Sequence, residues 1–108
     1  MVSLLGTIIP TADPVWFRRQ IPDGPDGPTF GEAMSGYGRW ERTSRQIQTP
    51  EGRVVLLTGT VYVPAAWEPK VGDQLAQGGG APDWRRVEMV ETLTWFDGTV
   101  MHHEVHVS

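Results

Sequence analysis

The sequence contains no cysteine and no asparagine, and Lys70 is its only lysine. The absence of cysteine excludes disulfides, thiolate metal sites and cysteine nucleophiles. Without asparagine there is no acceptor for N-linked glycans. The longest purely aliphatic run, residues 54–57, is far too short to cross a membrane, and the apolar start lacks the basic region of a signal peptide. We therefore expect a fold held together by packing alone, with no membrane partner.

Clustered positive charge is also missing. The chain carries a net charge of −4 at pH 7, and its nine basic residues are scattered, with Arg85-Arg86 as the one basic cluster in the second half. Binding to phosphate backbones irrespective of sequence requires a clustered basic surface. Nucleic acid is therefore expected to be repelled rather than bound.

Turn-forming residues are abundant, with thirteen glycines and nine prolines in 108 residues. This composition favours an all-β class, and we predict a single domain over residues 1–108, built as a small antiparallel β-barrel or sandwich. Its central strand is predicted at residues 53–64, where Gly59 should allow a bend or a close approach. Alternation places five residues on the core face of that strand: Val55, Leu57, Gly59, Val61 and Val63.

Further strands are predicted on both sides of this central strand. They are residues 4–9, 15–19, 39–49, 84–95 and 99–107, with a short strand after Val71-Gly72-Asp73. For residues 15–19 a helix beginning at Asp13-Pro14 is the alternative. Pro50-Glu51-Gly52 and Asp97-Gly98 predict hairpin turns. A break in alternation between Met89 and Val90 predicts a β-bulge or an end of strand pairing.

Residues 21–38 read IPDGPDGPTFGEAMSGYG, a tandem Pro-Asp-Gly repeat followed by three more glycines, with no sustained period of 2 or 3.6. We predict an extended loop here, longer than the usual limit of about 12–15 residues for a structureless connection. Loops of that length tend to be functional or disordered. The candidate residues for contact with a neighbouring subunit or partner are Asp23, Asp26, Phe30, Met34 and Tyr37. A flexible surface loop without a role is the alternative.

Three metal-competent side chains share one face of the last predicted strand: His102, Glu104 and His106. Two imidazoles and a carboxylate suit a transition metal. However, residues two apart on a strand lie about 6.6–7 Å apart, which is long for three ligands of one ion. An ordinary polar outer face on a terminal edge strand is the preferred interpretation, so we predict no metal and no cofactor. His103, on the apolar face, is expected to be a hydrogen-bonded core histidine.

The sequence offers little that suggests catalysis. No serine lies in a nucleophile-elbow context, and the acidic residues form no evident general acid/base pair. The triple glycine at residues 78–80 lacks the Lys-Ser/Thr of a phosphate-binding loop. The five tryptophans lack interleaved basic residues, so core or subunit contacts suit them better than base stacking. We therefore predict that the protein is not an enzyme.

A series of short pieces runs through residues 49–108: TGTVYVP at 58–64, VGD at 71–73, WRRV at 84–87 after a glycine turn, DG at 97–98 and HHEV at 102–105. This pattern resembles the small β-barrel head-to-tail connectors of long-tailed bacteriophages, the head-closure or stopper class of neck proteins. The first half of the chain departs more from that pattern.

The resemblance implies a structural subunit of the virion neck, made in the host cytoplasm. It would form a homo-oligomeric ring between the portal or adaptor protein and the tail terminator or tail tube protein. Double-stranded DNA would pass through an acidic lumen without specific binding. The loop at 21–38 would contact a neighbour, the channel or the adaptor, with Phe30 and Tyr37 as anchors. A tail-completion or minor capsid protein is the alternative, and a metal-binding β-barrel protein is a distant one.

Overall fold

The structure is a computed structural model that describes residues 13–24, 27–78 and 82–108. Within these residues the elements are β1 (Asp13–Arg18), β2 (Gln20–Gly24), β3 (Gly27–Phe30), β4 (Met34–Gln48), β5 (Val54–Pro64), a 3₁₀ turn (Ala65–Trp67), β6 (Gln74–Gln77), β7 (Arg85–Thr94) and β8 (Val100–Val107). The strand predicted at residues 4–9 lies outside the described residues. In the described ranges, no helix is long and apolar enough to cross a membrane.

Six strands close into an antiparallel barrel in the order β1-β4-β5-β8-β7-β6, with β6 pairing back onto β1. This confirms the all-β class and the barrel. β8 is not a terminal edge strand, as the sequence had suggested, because it pairs with β5 on one side and β7 on the other. The Asp97-Gly98 turn joins β8 to one of these neighbours, β7. The valine-rich β5 is the other.

The core is built from the alternating apolar residues of the barrel strands. All five residues predicted for the inner face of β5 are buried. The central cluster consists of Val15, Phe17, Val61, Val63, Leu75, Val87, Val105 and Val107. Trp67 stacks on Phe17 with ring centroids 5.6 Å apart. Complete burial of each such side chain stabilises the fold by about 1.5–3 kcal/mol.

Gly59 has the close approach predicted for it. A Cβ atom at this position would lie 2.9 Å from Nε1 of Trp40. The β4–β5 register shifts on the facing strand between Arg42 and Arg45, so the ladder is irregular at this point. Bulges of this kind bend a strand pair. Beyond the shift the two strands continue as a ribbon, residues 42–58, whose turn brings Arg53 to Glu88 of β7.

Both predicted hairpin turns are confirmed. Thr49 N donates to Arg53 O over 2.8 Å, and Trp95 N donates to Thr99 O over 2.8 Å. The strand predicted at residues 15–19 is confirmed over the alternative helix, with β1 spanning Asp13–Arg18 and Arg19 lying just after it. In β7 the register shifts twice, between Val87 and Met89, one step before the predicted bulge, and again between Leu93 and Thr94.

The prediction of an extended loop at residues 21–38 is wrong. β2 and β3 form a hairpin, with Gln20 opposite Phe30 and Ile21 opposite Thr29. Residues 34–38 already belong to β4 and pair with β1. Gly36 leaves room for Trp67, since a Cβ atom at residue 36 would lie 2.6 Å from the indole ring. Because glycine stands at this position, the start of β4 shows no alternation of apolar residues, and the sequence did not predict a strand there.

Candidate functional site

The residues predicted for partner contact fall on different parts of the fold. Asp26 lies outside the described residues, and Asp23 lies in β2. Phe30 ends β3, where the guanidinium carbon of Arg18 lies 4.5 Å from its ring centroid. The same guanidinium lies 4.1 Å from the ring of Trp84. Phe30 is thus held in an intramolecular cation–π stack that ties the β2–β3 hairpin to the barrel.

Met34 and Tyr37 lie in β4 and are 46% and 65% exposed. Tyr37 faces Pro14 across the β1–β4 ladder. Tyr37 and Pro14, together with Trp16, Ser35 and neighbouring backbone, line a cleft of ≈ 310 Å³. Contact of Met34 and Tyr37 with a partner stays a prediction.

A second apolar surface lies at the end of the β7–β8 hairpin, and the sequence reasoning missed it. We define this tip as Leu93, Trp95 and Phe96. Phe96 is fully exposed, and Trp95 and Leu93 are 40% and 37% exposed. The available signal was the Trp-Phe pair directly before Asp97-Gly98. Phe96 lies in the turn itself, between the hydrogen-bonded Trp95 and Thr99, where no neighbouring strand covers its ring.

The β4–β5 ribbon carries another exposed apolar surface, which we call the ribbon face: Val54 and Leu56. These side chains are 65% and 51% exposed. They stand opposite Gln48 and Gln46 of β4. Since β5 and β8 run antiparallel with Gly59 opposite Val107 and Pro64 opposite His102, the ribbon face and the tip lie at opposite ends of the β5–β8 ladder.

The trio of His102, Glu104 and His106 is divided in the structure. His102 packs against Tyr62 in a tilted arrangement, with ring centroids 5.9 Å apart and ring planes at 60°. Burial lowers the pKa of His102 and so favours the neutral ring. Glu104 and His106 instead meet Glu91 of β7, and the ligand atoms of these three residues all lie within 4.8 Å of one another.

We call Glu91, Glu104 and His106 the polar cluster. Glu91 stands directly opposite Glu104 in the β7–β8 ladder. The His106 side chain is 8% exposed, and its Nε2 lies 3.9 Å from Oε1 of Glu91. Its Nδ1 lies 3.2 Å from Oγ1 of Thr60. Among the described residues, Nε2 has no hydrogen-bond partner.

Two titratable groups lie near the polar cluster, Tyr62 beside this outer face and His103 on the opposite face of β8. Burial raises the pKa of Tyr62, and the negative charges of Glu104 and Glu41 add to that rise. His103 points to the other side of β8 and is the hydrogen-bonded core histidine that the sequence predicts. Its Nε2 donates to Ala65 O over 3.0 Å, since a carbonyl only accepts, and its Nδ1 lies 3.0 Å from Oγ1 of Thr92.

Glu91 was the member of the polar cluster that the sequence reasoning missed.

Comparison with protein-family models, curated protein sequences and solved structures finds no match to this chain. Functional inference therefore rests on the tip, the ribbon face and the polar cluster, together with the resemblance in residues 49–108.

Proposed function

We propose that this chain is a structural subunit of a bacteriophage neck, forming a homo-oligomeric ring between the portal or adaptor protein and the tail. In this role it closes the DNA-filled head and docks the tail. The observation that carries the proposal is the fully exposed Phe96, beside Trp95 and Leu93 at the tip. Aromatic side chains are enriched at protein–protein interfaces and supply most hot-spot residues.

Ring formation requires two different surfaces on each subunit. Contacts between identical subunits in a ring are heterologous, so one patch meets a second, non-identical patch on the next copy. The tip and the ribbon face satisfy this requirement, since they are apolar, exposed and at opposite ends of one ladder. Both lie within residues 49–108, the part of the chain that resembles the neck proteins.

The exposed arginines of the ribbon lie on its other side, since Arg45 pairs with Leu57 and Arg42 with Gly59. Apolar contact is what the tip and the ribbon face offer each other. In our proposal the tip of each subunit therefore packs onto the ribbon face of the next.

The net charge of −4 fits a ring whose lumen carries double-stranded DNA. An acidic wall repels the phosphate backbone, so DNA passes without specific binding. The remaining partners in this proposal are the portal or adaptor protein on one side and the tail terminator or tail tube protein on the other, in the virion neck.

Analytical ultracentrifugation of the purified chain and three variants tests the subunit contact. We expect the parent protein to associate as its concentration rises. Phe96→Ser and Leu56→Ser should each weaken association by at least about 30-fold, since loss of an interface hot spot costs about 2 kcal/mol or more. Val71→Ser is the matched control, because Val71 is 57% exposed but belongs to neither surface.

All three variants should keep the circular dichroism spectrum and unfolding midpoint of the parent, because the altered side chains are exposed. A parent protein that stays monomeric at the highest soluble concentration contradicts the proposal. Equal association of the parent and the Phe96→Ser and Leu56→Ser variants contradicts the assigned contact. The position of the gene between portal and tail genes is an independent check on the neck assignment.

A further inference from the structure

We propose that Glu91, Glu104 and His106 bind a divalent transition-metal cation, with Zn²⁺ as the best match. This site is separate from the ring contact, and the inference does not depend on the proposed neck function. It also differs from the trio predicted on a single strand, because two adjacent strands supply the ligands. Cross-strand pairing removes the spacing problem that a single strand imposes on three ligands.

The first argument is the pairing of two carboxylates. Glu91 and Glu104 stand directly opposite each other across β7 and β8. Like charges in that relation destabilise a sheet. A cation between the two carboxylates converts this repulsion into attraction. The cluster is therefore organised as a cation site would be.

The second argument is the unpartnered imidazole nitrogen. The His106 side chain is 8% exposed, and its Nε2 is directed at the carboxylates, 3.9 Å from Oε1 of Glu91. That nitrogen has no hydrogen-bond partner among the described residues. Buried polar atoms are normally satisfied, so an orphan atom marks a place for a water or an ion, and the two facing carboxylates favour a cation.

The second nitrogen of the same ring supports ligation. Nδ1 lies 3.2 Å from Oγ1 of Thr60. When Nδ1 carries the proton and donates to that hydroxyl, the Nε2 lone pair is left free toward Glu91 and Glu104. Metal-bound histidines commonly use their other N–H in this way, which fixes both the tautomer and the ring orientation.

The distances require only a small closure. Zn²⁺ bonds of about 2.0–2.2 Å to nitrogen and oxygen place tetrahedral ligand atoms about 3.4 Å apart. The cluster atoms lie within 4.8 Å of one another. The Glu91 side chain is 54% exposed, so rotation about its side-chain bonds can bring its carboxylate closer to the other two ligand atoms. Water would complete the coordination.

The ligand types select the class of metal. Imidazole together with carboxylate suits Zn²⁺ and neighbouring transition metals, whereas Mg²⁺ and Ca²⁺ prefer oxygen ligands throughout. Zn²⁺ is the direct probe for this site, and Mg²⁺ is the comparison.

Isothermal titration of the full, metal-stripped chain with ZnCl₂ tests the proposal. We expect one equivalent of Zn²⁺ to bind and to raise the unfolding temperature, while Mg²⁺ does neither. Glu91→Gln and His106→Gln should each weaken Zn²⁺ binding by more than about tenfold. His102→Gln is the matched control, since His102 lies on the same strand face but outside the cluster, and it should keep the parent affinity.

The metal-free proteins give a second readout that separates ligand loss from misfolding. Glu91→Gln removes the repulsion with Glu104, so without metal it should unfold at a higher temperature than the parent, yet gain nothing from Zn²⁺. Failure of the parent to bind one equivalent of Zn²⁺ overturns the proposal. So does a loss of affinity in His102→Gln equal to that in His106→Gln, or Mg²⁺ binding as tight as that of Zn²⁺.

Discussion

At the scale of single residues, the Asp73 carboxylate connects several separate segments of the chain. Asp73 is 2% exposed and accepts hydrogen bonds from Gln20 N and Lys70 N, each over 2.8 Å. Arg19 Nη1 donates to the same carboxylate over 3.2 Å. One side chain thus joins the start of β2, the turn before β6 and the segment after the 3₁₀ turn.

Asp73→Ala should therefore lower the free energy of unfolding by about 3 kcal/mol, because three donors lose the buried, charged acceptor that they share. Urea unfolding followed by circular dichroism measures this change. Asp83→Ala is the control: its side chain is 78% exposed in an ion pair with Arg85, and its loss should change stability by no more than about 0.5 kcal/mol. Equal effects of the two substitutions would contradict the structural role of Asp73.

Residue-scale features were predictable from sequence where the cause is local. Alternation along β5 identified the core face of that strand. The position of His103 on the apolar face of β8 identified it as a core histidine. Glu91 could not be found in this way. Its meeting with Glu104 and His106 depends on the β7–β8 register, and that register shifts between Val87 and Met89. A one-residue change in register moves a side chain to the other face.

At the scale of elements, Glu88 fastens the β4–β5 ribbon to the barrel. Its side chain is 2% exposed and pairs with Arg53 at 3.0 Å and with Arg86 at 2.6 Å. Ser108 Oγ donates to its other oxygen over 3.1 Å. The ribbon turn, β7 and the last described residue therefore meet at one carboxylate.

Glu88→Ala should release the ribbon turn and lower the free energy of unfolding by about 2 kcal/mol, since charged hydrogen bonds at a buried acceptor are lost. Hydrogen exchange followed by mass spectrometry should show faster exchange at residues 49–53, with the strands of the core still protected. Glu41→Ala, which breaks a half-exposed pair with Arg39, is the control and should leave that exchange unchanged. Unaltered exchange in Glu88→Ala would show that the ribbon is held by other contacts.

The elements divide in the same way between local and distant causes. Turn chemistry at Glu51-Gly52 and Asp97-Gly98 located two hairpins correctly. The β2–β3 hairpin was missed because its short strands, QIPDG and GPTF, carry no apolar alternation. The start of β4 was missed because Gly36 and Gly38 interrupt the apolar pattern. The reason for those glycines lies in Trp67 and Tyr62, which approach from distant parts of the chain.

At the scale of the whole molecule, the barrel presents two unlike apolar surfaces at opposite ends of one ladder. Closure of the sheet between β6 and β1 removes the edges of the barrel sheet at those strands. The tip and the ribbon face are then the parts of this ladder suited to contacts between copies. Their separation is what a ring of identical subunits requires.

Electron microscopy of the purified, assembled protein tests this central claim most directly. The account predicts closed rings of one symmetry, with a lumen wide enough for double-stranded DNA and with the Phe96 tip of each subunit seated on the ribbon face of the next. Isolated monomers at concentrations far above the dissociation constant of ordinary interfaces, about 1 µM, would contradict it. So would rings in which Phe96 remains exposed to solvent.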